Sequence, residues 1–123
     1  MVKKKILKHV NKAKFFITAT FNNTIITVTD MDGNTLCWGS AGVAGFKGAR
    51  KSTPFAATIT AKKVIETAKM MGVREIEIYI KGPGMGREAT LRALKGSYFK
   101  VNLIADVTPI PHNGVRPKKR RRV

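Results

Sequence analysis

The feature that most limits how this chain can fold is a glycine-rich stretch, residues 39–54, that leads into a helix start. Four glycines within ten residues provide little side chain to pack and leave the backbone unusually free. Thr53 followed by Pro54 is typical of a helix N-cap and a first helical residue. The cations just before this start are Lys47, Arg50 and Lys51. Unpaired N–H groups and positive charge at a helix N-terminus predict a site for anions, and phosphates are the anions we expect.

A second glycine-rich stretch, residues 81–88, reads Lys-Gly-Pro-Gly-Met-Gly-Arg-Glu and also lies between a strand-like and a helix-like segment. Neither stretch has the residue spacing of a nucleotide-binding loop. A tight turn without a ligand is the competing interpretation for either loop alone. Two such loops on a very basic chain favour the binding of a polyanion.

The charge of the chain indicates the class of its partner. It has 24 Lys and Arg against 7 Asp and Glu, a formal net charge of +17. Such an excess opposes a compact state unless a polyanion neutralises it. The length of 123 residues and the 43% hydrophobic content nevertheless predict one globular domain. Nucleic acid is therefore the expected partner; an anionic membrane surface is the alternative, but the cations do not follow one face of a helix.

Other chemistries have little support in the sequence. Cys37 is the single cysteine, which excludes an internal disulfide and fits a reducing compartment. With only His9 and His112 beside it, it forms no metal-ligand cluster; a Cys–His nucleophilic pair stays open, although a small buried residue in a strand is the favoured interpretation. The carboxylates are too scattered for a two-metal nuclease site. We expect no catalytic site, cofactor, metal or small-molecule substrate.

The sequence shows neither a membrane-spanning segment nor a secretory signal, and we expect no membrane partner. No apolar run approaches the ~20 residues of a spanning helix. The N-terminal lysines are not followed by the hydrophobic segment of a secretory signal.

Hydrophobic periodicity predicts an α/β fold with a mixed five-stranded sheet. A three-strand antiparallel meander is expected to precede two helix–strand units, a topology like that of ribonuclease H. Strands are predicted at 15–21, 24–30, 35–38, 73–80 and 99–107, and helices at 54–71 and 87–95. Alternation places Phe21 on the apolar face of the first strand. It also places on one face of the last strand Val101, Leu103, Ala105 and Val107.

The chain is predicted to have basic ends on either side of this domain. Residues 1–14 are expected to form a disordered basic arm that acts against a partner, with a merely solvated tail as the alternative. Residues 15–107 are expected to form the RNA-binding domain and residues 108–123 a basic tail. Three prolines in the tail exclude a helix or a central strand, and the cation block at 118–122 cannot fold alone. We expect the tail to run extended among RNA phosphates; a solvated end or a nuclear address is the alternative.

Four runs of the sequence resemble one known family. They are Ala-Thr-Phe-Asn-Asn-Thr-Ile at 19–25, Gly-Phe-Lys-Gly-Ala-Arg-Lys-Ser-Thr-Pro-Phe-Ala-Ala at 45–57, residues 81–88, and Asp-Val-Thr-Pro-Ile-Pro-His-Asn-Gly at 106–114. In this order they resemble the small-subunit ribosomal protein S11 family, of bacterial type, and the resemblance extends over residues 15–123. The family fold is the one that periodicity predicts.

The resemblance implies a structural, non-enzymatic role. Members of this family bind small-subunit ribosomal RNA on the platform of the subunit and help shape the cleft where messenger RNA leaves. Implied neighbours are small-subunit ribosomal proteins six, seven and eighteen, on the ribosome of a bacterium or of a bacterial-derived organelle. The chain departs from many relatives in a shorter N-terminal arm, in Val115 where cysteine is common, and in one proline fewer after Arg116. A free-standing RNA-binding or RNA-processing factor is the alternative.

The residues expected to contact RNA belong to the two glycine loops, an Asn-Asn turn and the tail. They are Asn22, Asn23, Lys47, Gly48, Arg50, Lys51, Ser52, Thr53, Lys81, Gly82, Gly84, Gly86, Arg87, His112, Asn113, Arg116, Lys118, Lys119, Arg120, Arg121 and Arg122. The cations are expected to bind phosphates and the glycines to let the backbone approach RNA.

Overall fold

The computed structural model of the protein describes residues 10–45, 47–48, 51 and 53–108. Within these residues the chain forms strands and helices in the predicted order. They are β1 (Lys12–Ala19), β2 (Thr24–Thr29), β3 (Thr35–Ser40), α1 (Pro54–Met70), β4 (Glu75–Lys81), α2 (Gly86–Lys95) and β5 (Lys100–Asp106).

The strands form one mixed five-stranded sheet in the order β3-β2-β1-β4-β5, as predicted. β1 lies in the centre, antiparallel to β2 and parallel to β4. The meander is completed by antiparallel pairing of β2 with β3, and β5 runs parallel to β4 at the other edge. β1 is suited to this central position because every second side chain from Ala13 to Ala19 is apolar and fully buried.

The core lies between the sheet and the two helices, which pack on one of its faces. Ile76, Ile78 and Ile80 of β4 point into it, as their alternation with polar residues predicts. Helix α1 contributes to this core a stripe of small or branched side chains at helical spacing: Ala57, Ala61, Val64 and Ala68. Gly39 of β3 lets α1 come close, because a Cβ there would lie 2.7 Å from Val64 Cγ2.

The opposite face of the sheet carries none of the described helices. Phe16 of β1 and Tyr79 of β4 stack there with ring centroids 5.2 Å apart. The Tyr79 hydroxyl donates to Glu77 Oε1 at 2.8 Å, and Glu77 lies opposite Lys14 in the β1–β4 register. This face is therefore polar and aromatic, with cations and carboxylates on adjacent strands.

β1 begins at Lys12, three residues before the predicted start of the domain. Lys12 lies opposite Glu75 and Lys14 opposite Glu77, so the glutamates of β4 offset the lysine charge that suggested a disordered arm. Ala13 between them is fully buried. Residues 12–14 thus belong to the sheet, and residues 1–9 of the predicted arm lie outside the described part of the chain.

Phe21 is not on the apolar face of a strand, so that prediction was wrong. β1 ends at Ala19, and the hydroxyl of Thr20 accepts hydrogen bonds from the backbone N–H groups of Asn22 and Asn23. This local capping ends the strand before Phe21, whose side chain is 72% exposed.

The single apolar face predicted for β5 was also wrong. Val101 lies opposite Ile76 and Leu103 opposite the next residue, Glu77, so Asn102 is an extra residue in β5. Such a bulge reverses the side-chain alternation beyond it. Leu103 therefore lies on the face of Glu77 and is 43% exposed. The Asn102 amide donates to Glu75 Oε1 at 3.0 Å, and this bond is the main reason that the pKa of Glu75 is lowered.

The helix ends agree with their sequence signals. The Thr53 hydroxyl accepts from the N–H of Ala56, which makes Thr53 the N-cap of α1, with Pro54 at the first helical position. Gly72 follows the helix with a φ of 87°, a conformation that favours glycine. Neither described helix has the length and hydropathy needed to span a membrane.

Candidate nucleic-acid interface

The strand registers bring the predicted contact segments together at one end of the sheet. Ala19 pairs with Thr24, Thr18 with Lys81, and Ile80 with Asp106. The C-terminal ends of β1, β3, β4 and β5 therefore meet at this end, where both helices also begin. We call it the loop end and define it as residues 20–23, 41–45, 47–48, 51, 53, 82–86 and 107–108.

The first glycine loop presents its backbone to open space. Its start is held by hydrogen bonds from Ala44 N to Ser40 O (2.9 Å) and from Ala41 N to Thr24 O (3.2 Å). Among the described residues, no atom outside the adjacent chain lies within 4 Å of the position that a Cβ would take at Gly45 or Gly48. Lys47 and Gly48 are exposed and Lys51 is half-buried. A polyanion could therefore approach Gly45 and Gly48 without displacing atoms of the described residues.

The N-terminus of α1 adds positive potential beside this loop. The hydroxyl of Thr53 is used for the cap, so its role in the structure is to hold the helix start. No acidic side chain lies in the first turn of α1 to offset the partial positive charge of the helix end.

The second glycine loop is different, because its glycines pack against protein. A Cβ at Gly82 would collide with the carbonyl oxygen of Ala19, and one at Gly84 with the carbonyl oxygen of Thr20. A Cβ at Gly86 would meet the Thr24 hydroxyl. These three glycines let the loop lie directly on the β1–β2 turn, and the N–H of Gly84 donates to Ala19 O at 2.9 Å. RNA contact by these residues stays a prediction, while their role in packing is plain.

The Asn-Asn turn offers one free amide and one that is committed. Asn23 Oδ1 accepts from the N–H of Thr24 at 2.8 Å, and Asn23 is half-buried. Asn22 is exposed. Of the two asparagines, Asn22 is therefore the one whose side chain is exposed, and it follows the exposed Phe21.

Arg87 is engaged within the protein. Its Nη2 lies 2.6 Å from Asp106 Oδ2, and its Nη1 donates to the carbonyl of Gly82 at 3.2 Å. The Arg87 guanidinium, followed by hydrogen bonds from Thr108, holds the pKa of the Asp106 carboxyl well below its usual range. The neighbouring cation, Lys81, is exposed.

Sequence reasoning missed the large apolar side chains that the loop end exposes. Phe21 is 72%, Val43 65% and Met85 63% exposed, and Phe55, in the first turn of α1 next to the loop end, is 66% exposed. Only Phe21 had a usable signal, because it adjoins the two asparagines of a turn. Exposed rings near cations are typical of surfaces on which nucleobases stack.

Part of the predicted site lies outside the described residues. This part comprises Arg50, Ser52, His112, Asn113, Arg116, Lys118, Lys119, Arg120, Arg121 and Arg122. The described part holds no group of three or more His, Cys, Asp or Glu side chains that could bind a metal ion.

A small basic α/β domain that gathers glycine loops, cations and helix N-termini at one end is typical of nucleic-acid-binding proteins. Comparison with known proteins identifies the class: the family model for ribosomal protein S11 matches residues 13–122. The small ribosomal subunit protein uS11 of Nitratidesulfovibrio vulgaris is 58% identical over 99% of this chain and 95% of its own length. That of Aquifex aeolicus is 58% identical over 98% of this chain and 97% of its own length. That of Wigglesworthia glossinidia brevipalpis is 57% identical over 98% of this chain and 92% of its own length.

The chain therefore belongs to the ribosomal protein S11 family, and the resemblance seen in its sequence is confirmed. It is a structural component of the small ribosomal subunit and not an enzyme.

Proposed function

We propose that the chain binds small-subunit ribosomal RNA through its loop end, on the platform of the subunit, and helps shape the cleft through which messenger RNA leaves. Small-subunit proteins six, seven and eighteen are its neighbours in this proposal, on the ribosome of a bacterial cytoplasm or of a bacterial-derived organelle. The observation that carries it is the gathering of two glycine loops, two helix N-termini and the start of the C-terminal tail at one end of the sheet.

The distribution of charge supports this choice of surface. Lys47, Lys51 and Lys81 lie at the loop end or next to it. The one carboxylate at the end of β5, Asp106, is already paired with Arg87. At the opposite end, which we call the far end, Asp30 organises an acidic turn by accepting from the N–H groups of two nearby residues. The far end also holds lysines, but Lys12 and Lys100 both lie opposite Glu75, so the described charges favour the loop end for phosphates.

The tail extends this surface. It leaves the domain after Thr108, at the loop end, and residues 109–123 contain six cations and three prolines. Such a segment buries too little apolar surface to offset an ordering cost of ~1–2 kcal/mol per residue without phosphates around it. In our proposal it runs extended between RNA backbones, with the prolines favouring the extended path.

The test compares two triple variants with the same change in charge. One replaces Lys47, Lys51 and Lys81 by Gln at the loop end. The control replaces Lys12, Lys95 and Lys100 by Gln at the far end. Filter binding to small-subunit ribosomal RNA is measured over a series of salt concentrations, with large-subunit ribosomal RNA as the competitor and thermal unfolding as the check on folding.

The loop-end variant is expected to lose affinity and to reduce the slope of log K against log salt by about 2–3 units, since each phosphate contact contributes ~0.7–0.9. The far-end control is expected to keep most of the wild-type slope. If the two variants lost affinity and salt slope equally, the loop end would be refuted as the binding surface. If the affinity of the wild-type protein did not depend on salt, phosphate-driven binding would be refuted altogether.

A further inference from the structure

Four residues at the loop end or directly next to it form a closed ring of hydrogen bonds. Arg87 bonds to Asp106 Oδ2 and to the carbonyl of Gly82. The other carboxylate oxygen of Asp106, Oδ1, accepts from the N–H of Thr108 at 3.0 Å and from its hydroxyl at 2.6 Å. The N–H of Gly82 donates to the same Thr108 hydroxyl at 3.1 Å, which closes the ring. Each member of this group, Gly82, Arg87, Asp106 and Thr108, thus contacts at least two of the others.

The ring is attached to the centre of the sheet through Gly82. Its φ of 99° favours glycine, and the space that a Cβ would take is filled by the carbonyl of Ala19. Beyond β5 the chain is also held by a 2.8 Å bond from Val107 N to Ile80 O. Thr108, the last described residue, is therefore fixed relative to β1, β4 and α2, although β5 is an edge strand.

The geometry points to Arg87 as a positioning residue: through this ring it fixes the point at which the C-terminal tail leaves the domain toward RNA. This inference rests on the proposed RNA-binding function and changes the role predicted for Arg87 from phosphate contact to anchor. Its Nη2 is bonded to Asp106 and its Nη1 to the carbonyl of Gly82, and the side chain is only 32% exposed.

The ring is expected to influence binding more than folding. Asp106 is 53% exposed, and exposed ion pairs contribute little to stability. A segment that starts from a fixed point loses less conformational freedom on binding than one whose origin moves. Loss of the ring should therefore appear mainly in the affinity for RNA.

Two full-length variants distinguish positioning from direct contact. Asp106→Asn removes the partner of Arg87 and raises the net charge of the chain by one. Thr108→Val removes the bridging hydroxyl with no change in charge. The control Asp32→Asn makes the same chemical change as Asp106→Asn in the acidic turn at the far end. Each is measured by filter binding to small-subunit ribosomal RNA at one moderate salt concentration and by thermal unfolding.

Positioning predicts that Asp106→Asn and Thr108→Val each weaken binding about three- to tenfold, while Asp32→Asn leaves it unchanged or slightly tighter. Direct phosphate contact by Arg87 predicts the opposite sign for Asp106→Asn, because the freed guanidinium and the added charge would tighten binding, and no effect of Thr108→Val. That pattern would overturn the inference, as would losses of affinity matched by a large fall in melting temperature.

A second comparison shows whether the effect acts through the tail. In a full-length protein with Arg120, Arg121 and Arg122 replaced by Gln, Thr108→Val should weaken binding less than it does in the wild-type chain. An unchanged effect would refute the role of the ring in placing the tail. Failure of the proposed function itself looks different, because the wild type would then fail to bind small-subunit ribosomal RNA before any variant is compared.

Discussion

Replacing Gly84 by alanine tests whether the second glycine loop is a packing element. The loop lies on the β1–β2 turn, and the new Cβ would be 2.6 Å from the Ala19 carbonyl carbon and 2.8 Å from that of Thr20. These are backbone atoms at the end of a central strand, so they cannot rotate away as a side chain could. The loop must move instead, and the bond from Gly84 N to Ala19 O is lost.

The magnitude follows from these two effects. Overpacking of a close contact costs about 1–3 kcal/mol, and a lost hydrogen bond about 1 kcal/mol more. A loss of about 2–4 kcal/mol in the free energy of unfolding lowers the melting temperature of a domain of this size by about 6–20 °C.

The matched control is Gly42→Ala in the first glycine loop. Gly42 and Gly84 both have φ outside the left-handed region, and a Cβ at Gly42 makes only ordinary contacts, 3.7 Å to Lys51 Cδ and 3.8 Å to Ser40 Oγ. The melting temperature of the Gly42→Ala variant should therefore stay close to the wild-type value. Far-UV circular dichroism during thermal and urea unfolding measures both variants. Equal melting temperatures for the two variants would refute the packing role and would favour RNA approach as the reason for Gly84.

Phe21→Ala should leave the melting temperature unchanged, because the ring is 72% exposed, but should weaken binding to small-subunit ribosomal RNA by about 1–3 kcal/mol if a base stacks on it. The salt slope should not change; unchanged affinity would exclude stacking on Phe21. Burial raises the pKa of the Cys37 thiol to about 11, so at pH 8 the folded protein should react slowly with a disulfide reagent and faster as the pH rises toward 11. Equal rates in folded and urea-unfolded protein at pH 8 would contradict this.

Most predictions that depend on local sequence agree with the structure; Phe21 is an exception, because the Thr20 cap ends β1 before it. The cap at Thr53, the helix end at Gly72 and the alternation along β4 each depend on residues that are close along the chain. Such signals indicated the strands, the helices and their order, and the family resemblance agreed with them.

Features that depend on distant parts of the chain could not be predicted in this way. Arg87 and Asp106 are far apart in sequence, and nothing in either local pattern indicates their ion pair. The bulge at Asn102 depends on the pairing of β5 with β4. Both glycine loops look alike in sequence, yet a Cβ would meet open space at Gly48 and a carbonyl group at Gly84. Only the tertiary contacts separate the loop that is open from the one that is packed.

The central position of β1 has a consequence for the order of folding. Its antiparallel partner β2 follows directly, so the meander can form from neighbouring segments as soon as they have been synthesised. Its parallel partner β4 comes only after α1, and closing so long a connection delays the pairing. Until β4 docks, one edge of β1 is unpaired and open to pairing with another chain. We therefore expect the pairing of β4 to cover that edge, and the docking of α2 and β5 to complete the ring that holds Thr108.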